Sequence, residues 1–174
     1  MSWQIDPAHS LIQFSVTHMM ISKVRGTFEN FSGTFEIDEN NPENTSIFVE
    51  IESDSINTRQ TQRDNHLRSE DFFNVTEYPK LVFTSTSVDL SGKSEAVLYG
   101  DLTIKEITRP VSLQVVYNGL SKSPWGTESA GFSAETKINR KDWALTWNQN
   151  FETGGILVGD ELTVSIELEL IKQP

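Results

Sequence analysis

Few residues of this 174-residue chain can make or break bonds. There is no cysteine, which removes disulfides, thiolate metal sites and a Cys nucleophile. His9, His18 and His66 are the three imidazoles, and none stands in His-x-His or His-Glu-x-x-His spacing. The sequence therefore calls for no metal and no cofactor. The most distinctive polar cluster is Arg63-Asp64-Asn65-His66-Leu67. At i and i+3, Arg63 and His66 share a helix face, with Leu67 beside Arg63. Two chemistries are open to it. The Arg63 fork suits a phosphate-bearing head group, with His66 alongside. Alternatively, His66 with Asp64 or Glu70 could serve a hydrolase or isomerase as an acid–base pair. The plainer role is a capping helix tied down through Arg63 and Asp64. No Gly-x-Ser-x-Gly elbow exists, and Gly154-Gly155 and Gly159 lack the strand–loop–helix order of a phosphate loop. No enzyme is expected.

Charge narrows the partners. The formal net charge is -11 and the sequence pI about 4.6, the reverse of a nucleic-acid footprint. An anionic membrane surface is also expected to be a poor partner, because its negative potential would repel such a chain. No stretch approaches the roughly 18 apolar residues of a membrane span. Met1–Pro7 shows neither a basic region nor an apolar run, so a cytoplasmic location is expected, or a periplasmic one if a leader was removed.

The elements that must position these residues read as strands. Ile12, Phe14, Val16 and His18 set one face of a strand; Val24, Gly26 and Phe28 set the next. Phe31, Gly33, Phe35 and Ile37 take the opposite parity to Phe28, which predicts a β-bulge near Glu29–Asn30. Alternation continues through Ile47–Ile51, Leu81–Ser85, Val97–Ile104, Val111–Tyr117, Ala130–Ile138 and Leu162–Leu170. That makes about eight strands, the early ones near 10–15 residues, with turns at 38–42, 91–93 and 121–126. Residues 57–73 read as a helix of about three turns, with Asn57 or Thr58 as N-cap and Thr61 with Asp64 as a capping box. The stretch 139–159, with Trp143, Trp147 and Phe151, is irregular and reads as a packed plug. The expected fold is all-β: one domain spanning 1–174, an extended eight-stranded antiparallel barrel with one short capping helix. Closure removes sheet edges, and eight strands are the size that can hold one small ligand.

The residues also resemble a known family. Trp3-Gln4-Ile5-Asp6-Pro7-Ala8-His9-Ser10, Val24-Arg25-Gly26-Thr27-Phe28, Arg63-Asp64-Asn65-His66-Leu67, Gly100-Asp101-Leu102-Thr103-Ile104, Arg109-Pro110-Val111, Ile138-Asn139-Arg140 and Val158-Gly159-Asp160 are similar, in order and spacing, to the YceI-like bacterial polyisoprenoid-binding proteins. One departure stands at Lys105-Glu106, where the family pattern has a Gly near the turn, so a looser hairpin is expected there. The resemblance implies a lipocalin-like barrel whose interior takes an isoprenoid lipid, a polyprenyl phosphate or a quinone-like molecule, for carriage, storage or sensing. The expected ligand-binding residues are Phe14, Val16, His18, Phe28, Phe31, Phe35, Arg63, His66, Leu67, Phe72, Phe83, Leu102 and Phe132. The aromatic ones among them serve equally well as ordinary barrel core. A homodimer is compatible with this reading.

Overall fold

The computed structural model describes residues 2–149 and 157–174. Period-2 apolar patterning gives eleven strand segments: β1 (Ser2–Ile5), β2 (Leu11–His18), β3 (Ser22–Phe28), β4 (Phe31–Glu36), β5 (Ser46–Glu52), β6 (Ile56–Asn57), β7 (Lys80–Leu90), β8 (Glu95–Ile104), β9 (Ile107–Lys122), β10 (Glu128–Asn139) and β11 (Val158–Lys172). All pairings are antiparallel. β1 bonds to both β4 and β11, so the order β1-β4-β5-β7-β8-β9-β10-β11 closes on itself as an eight-stranded ring. The remaining segments extend the same ring, because β2 pairs with β11 and β3, and β3 with β6.

The first three strands are each broken, not continuous over 10–15 residues. A 3₁₀ turn at Pro7–His9 separates β1 from β2, and another at Ser53–Ser55 separates β5 from β6. The parity switch does fall at Glu29–Asn30, but not as a bulge on that strand. Phe28 faces Ile56 and Phe31 faces Ile51, so the extra residues belong to the partner, at Ser53–Ser55. Glu29 N–H donates to Ser55 O and Glu52 N–H to Asn30 O, which satisfies the backbone across the break. A true register shift, unforeseen, lies between Ser85 and Ser87, where Ser85 Oγ accepts from Ile47 N–H.

The β8–β9 hairpin is tight despite lacking Gly. Ile104 pairs with Ile107, and Lys105 and Glu106 both adopt left-handed φ, 54° and 64°. The β2–β3 turn does the same with Met19 and Met20, at 54° and 64°. Each such residue costs about 1 kcal/mol that surrounding pairing must offset.

The helix is shorter than expected: α1 (Thr61–Arg68) has eight residues. Gln60, not Asn57 or Thr58, caps it by accepting from Arg63 N–H, and no Thr61–Asp64 capping box forms. Asp64 is buried and instead accepts from the Thr58 N–H and hydroxyl. Ser69 ends the helix with its N–H on His66 O.

By register, one end of the ring holds α1, the β2–β3 and β8–β9 turns and the segment 139–149. The other holds the chain termini. Ile12, Phe28, Ile56, Phe72, Leu81, Ile104, Trp143 and Leu145 form a buried cluster toward the helix end. Trp3, Phe35, Ala130 and Leu170 seal the terminal end. Two inward glycines make room for rings: a Cβ on Gly26 would lie 2.5 Å from the Phe14 ring, and one on Gly100 would collide with Phe83.

Arg140 fastens the irregular segment. It is 3% exposed, and its guanidinium donates to Gly159 O at 2.8 Å and Trp147 O at 2.9 Å, and also to Leu145 O. Asp160 lies 3.8 Å away. Burial pushes the guanidinium below its ordinary value while Asp160 opposes this. Replacing it with Leu strands several buried carbonyls, while Asp160 keeps Lys141 at 3.3 Å. Arg140→Leu is expected to destabilise by about 3–5 kcal/mol in urea unfolding, and Arg140→Lys by a smaller amount because one ammonium cannot span the same carbonyls.

The Pro7–His9 turn is fastened electrostatically. His9 Nδ1 lies 2.8 Å from Asp6 Oδ2 and 4.0 Å from Glu169 Oε2 on β11. The Asp6 hydrogen bond and charge, with Glu169, raise the His9 pKa above its ordinary 6.5. The same bond, with Ala8 N–H, lowers that of Asp6. Asp6 therefore adds stability above the ordinary carboxylate range, lost as pH falls through its lowered pKa. His9 adds stability fully present below pH 6.5, lost as pH rises through its raised pKa. Wild type should exceed His9→Gln in melting temperature by most near pH 5–6, with the gap closing in alkaline buffer. A gap constant from acid to alkaline pH would contradict this assignment.

Candidate functional site

The inward face of the ring is set by register. Phe14 and Val16 on β2 stand opposite Gly26 and Val24 on β3 and opposite Val164 and Leu162 on β11. Phe83 pairs with Leu102, and Phe132 with Leu168 and Tyr117. Phe14, Val16, Phe31, Phe83, Leu102 and Phe132 all face inward yet are only half-buried. Phe28, Phe35 and Phe72 are buried, at 7%, 4% and 7% exposure. Phe28 packs between Phe14 and Phe73, with centroids at 5.6 and 5.8 Å. Phe35 belongs to the opposite end, with Trp3. The expected apolar residues are therefore spread along the interior from end to end. Phe73 and Tyr117, stacked on Phe132 at 5.3 Å, are further members that the reading did not single out.

Arg63 and His66 have different surroundings. Arg63 Nε donates to Thr58 Oγ1 at 2.8 Å and its other arm to Thr58 O at 2.6 Å. Arg68 donates to Asp54 O and Ile56 O. Among the described residues β6 pairs with β3 alone. The two arginines thus take carbonyls at and beside an edge strand, covering it as a sheet edge requires. This bonding matches the capping role more closely than a free phosphate fork.

His66 does not pair with Asp64, which is turned into Thr58, and bonds Asp71 rather than Glu70. Its Nε2 lies 2.8 Å from Asp71 Oδ2. Its ring stands edge-on to Trp147 at 4.6 Å and to Phe72 at 5.1 Å. No further hydrogen bond to this ring forms among the described residues, so no nucleophile is aligned with it there. Leu67 is half-buried and packs against the helix-end cluster. His18 ends β2, pairing with Ser22 and Val158. The three histidines do not converge on one site: His9 is with Asp6 and Glu169, His66 with Asp71. Asp6, His9 and Glu169 bring ligand-type atoms within 4.8 Å of one another, and the ion pairing described above accounts for them.

Trp143 behaves as the expected plug: it is 2% exposed and its Nε1 donates to Leu102 O at 2.9 Å. Phe151 and Gly154-Gly155 lie outside the described residues. Trp3 Nε1 is buried with no acceptor among the described residues. An open groove of ≈ 440 Å³ lies over the break between β1 and β2, lined in part by Ile5, Pro7, Phe31, Gly33 and Phe48. Arg140 is the buried polar residue that pattern reading passed over. Asn139-Arg140-Lys141-Asp142 reads locally as a solvated turn, and nothing in the segment itself signals bonds to the carbonyls of Leu145, Trp147, Val158 and Gly159.

Comparison with known proteins agrees with this architecture. The YceI-like domain model matches residues 3–170. The protein YceI of Escherichia coli is 40% identical over 165 residues, 95% of this chain and 83% of that protein. The crystal structure of a Campylobacter jejuni YceI protein superposes with a TM-score of 0.78 at 30% identity, covering 91% of this chain and 90% of that one. A polyisoprenoid binding domain from Saccharophagus degradans shares the fold, with a TM-score of 0.70 at 15% identity over 99% of this chain and 98% of its own. With its closed eight-stranded antiparallel ring, one short α-helix among the described residues and a family match running almost end to end, the chain belongs to the YceI-like family.

Proposed function

We propose that this barrel binds one long apolar lipid, an isoprenoid chain, along its interior. The observation that carries the reading is the half-burial of inward-facing Phe14, Val16, Phe83, Leu102, Phe132 and Ala134 inside a closed ring. In a packed barrel such residues lose contact with solvent, as Leu98, Leu113 and Ile104 do here. Accessible surface on inward apolar side chains is what an interior with room for a chain would give. A solved polyisoprenoid binding domain shares this fold, which supports the same ligand class.

The energetics favour a long chain over a small polar molecule. Each ligand CH₂ removed from water contributes about 0.8 kcal/mol, so a chain of many carbons binds with few polar contacts, less the entropy of holding it straight. A polyprenyl phosphate or a quinone-like lipid both meet this requirement. Shielding such a tail would serve carriage, storage or sensing.

Two measurements test the proposal. Protein purified without detergent is expected to retain an organic-extractable lipid, seen as an adduct in native mass spectrometry. Ala134→Trp fills the interior from a position that pairs with Val115 and Ile166. It should lower prenyl-lipid uptake about tenfold or more, because roughly two excluded CH₂ groups already correspond to that factor. Unchanged uptake by a folded Ala134→Trp variant would place the lipid elsewhere and overturn the reading.

A further inference from the structure

We infer that the β2–β3 turn, Met19-Met20-Ile21, is a membrane-docking tip that sets the helix end of the barrel against a lipid bilayer. The inference deepens the lipid-binding reading and rests on it for its purpose, though not for its test. Three apolar side chains stand in a row at 43%, 63% and 86% exposure. Their burial gains nothing for the fold, and their backbone is costly. Met19 and Met20 both hold left-handed φ, which Asn or Gly would adopt with less strain. Turn geometry therefore does not explain why methionines are here. Flexible apolar side chains on a projecting turn suit an interface with no fixed shape, such as acyl chains below a head-group layer.

Charge distribution selects the occupant. Directly behind the tip on β3, Lys23 and Arg25 are exposed and pair across to Thr17 and Ser15, so they point outward. Neither forms an ion pair among the described residues. They stand where lipid phosphates would lie if the tip entered a bilayer. Acidic residues gather at the terminal end, where Asp38, Glu43, Asp89 and Glu95 belong to turns and strand ends; nearer the tip, β11 carries Asp160, paired with Lys141, and Glu161. The fifteen residues of β11 span the ring lengthwise, about 50 Å, against a screening length of about 8 Å. Whole-molecule repulsion of the kind implied by a net charge of -11 thus acts mainly far from this surface. The interior also reaches the tip, because inward-facing Val16 and Val24, paired just behind it, remain half-buried.

The test uses cargo-free protein and vesicles of phosphatidylcholine with a minor fraction of phosphatidylglycerol. Wild type is expected to co-sediment with them. Met20→Asp with Ile21→Asp should cut the bound fraction about tenfold, and Met20→Trp should raise it. Asp tolerates left-handed φ, so the turn and the melting temperature are expected to survive. Uptake of a prenyl lipid supplied in detergent should be equal in wild type and the Asp variant, while uptake from vesicles should be slower in the variant. Absence of wild-type vesicle binding, or equal binding by the Asp variant, overturns the inference. So does a tip substitution that changes oligomeric state but not vesicle binding, since the tip then belongs to a second copy. Failure of detergent-delivered uptake in wild type would instead overturn the lipid-binding reading, leaving the vesicle result to decide docking by itself.

Discussion

A four-residue strand decides whether this sheet closes into a ring. β1 bonds to β11 on one side and β4 on the other, and without it β4 and β11 would each present a row of unpaired backbone groups. Trp3 makes that closure more than a matter of backbone. It is buried against Phe35, opposite Lys172, whose ammonium sits 5.6 Å from the indole centroid. Lys172 in turn meets Glu39 and Glu128 at 3.2 Å, tying the last strand to two turns at the same end. Closure, sealing of one end and anchoring of the C-terminal strand thus converge on a few side chains.

Once the ring is closed, its irregularities become the informative features. The first three strands all break, and each break is satisfied by specific groups: Asp6 and His9 at one, the Glu29 and Glu52 amides at another, Ser53 with Pro79 O and Tyr78 O at the third. Where β6 ends early, α1 arrives and Arg63 and Arg68 take carbonyls that a neighbouring strand would otherwise bond. The helix is therefore part of the wall as well as a lid. Arg63 and Arg68 bond within that wall, in keeping with the capping role that the sequence offered as the plainer one.

The extent to which this was legible divides along a physical line. Strand faces follow from period-2 burial, which is local, so the inward parity of Phe14, Phe83 and Phe132 could be read directly. The parity change at Glu29–Asn30 was visible too, but which strand carries the extra residues depends on the pairing partner and so was not. The helix was read too long because residues 57–73 are uniformly polar. Its real limits come from Gln60 accepting the Arg63 amide and from Asp64 folding back to Thr58, choices among several equivalent polar side chains. His66 found Asp71 rather than Asp64 or Glu70 for the same reason. Arg140 was the least legible, since its partners are carbonyls, which every residue has. The tight Lys105-Glu106 hairpin shows the converse: the missing family Gly argued for a looser turn, and pairing of Ile104 with Ile107 overrode it.

These assignments bear on how a barrel of this kind would discriminate among ligands. Arg63, Arg68, Asp64, Arg140 and Trp143 are polar groups near the helix end, and each spends hydrogen bonds on the protein itself. What remains facing the interior is mostly Phe, Val, Leu and Ala, whose attraction for a ligand is non-directional and scales with area. On the lipid-binding reading, selection then rests on length and girth. A chain too short forfeits about 0.8 kcal/mol per missing CH₂, and one too wide meets rings already pressed over Gly26 and Gly100. The head group, left near one end, contributes less to affinity than to orientation. A barrel built on these terms discriminates between classes of chain more sharply than between the polar groups that end them.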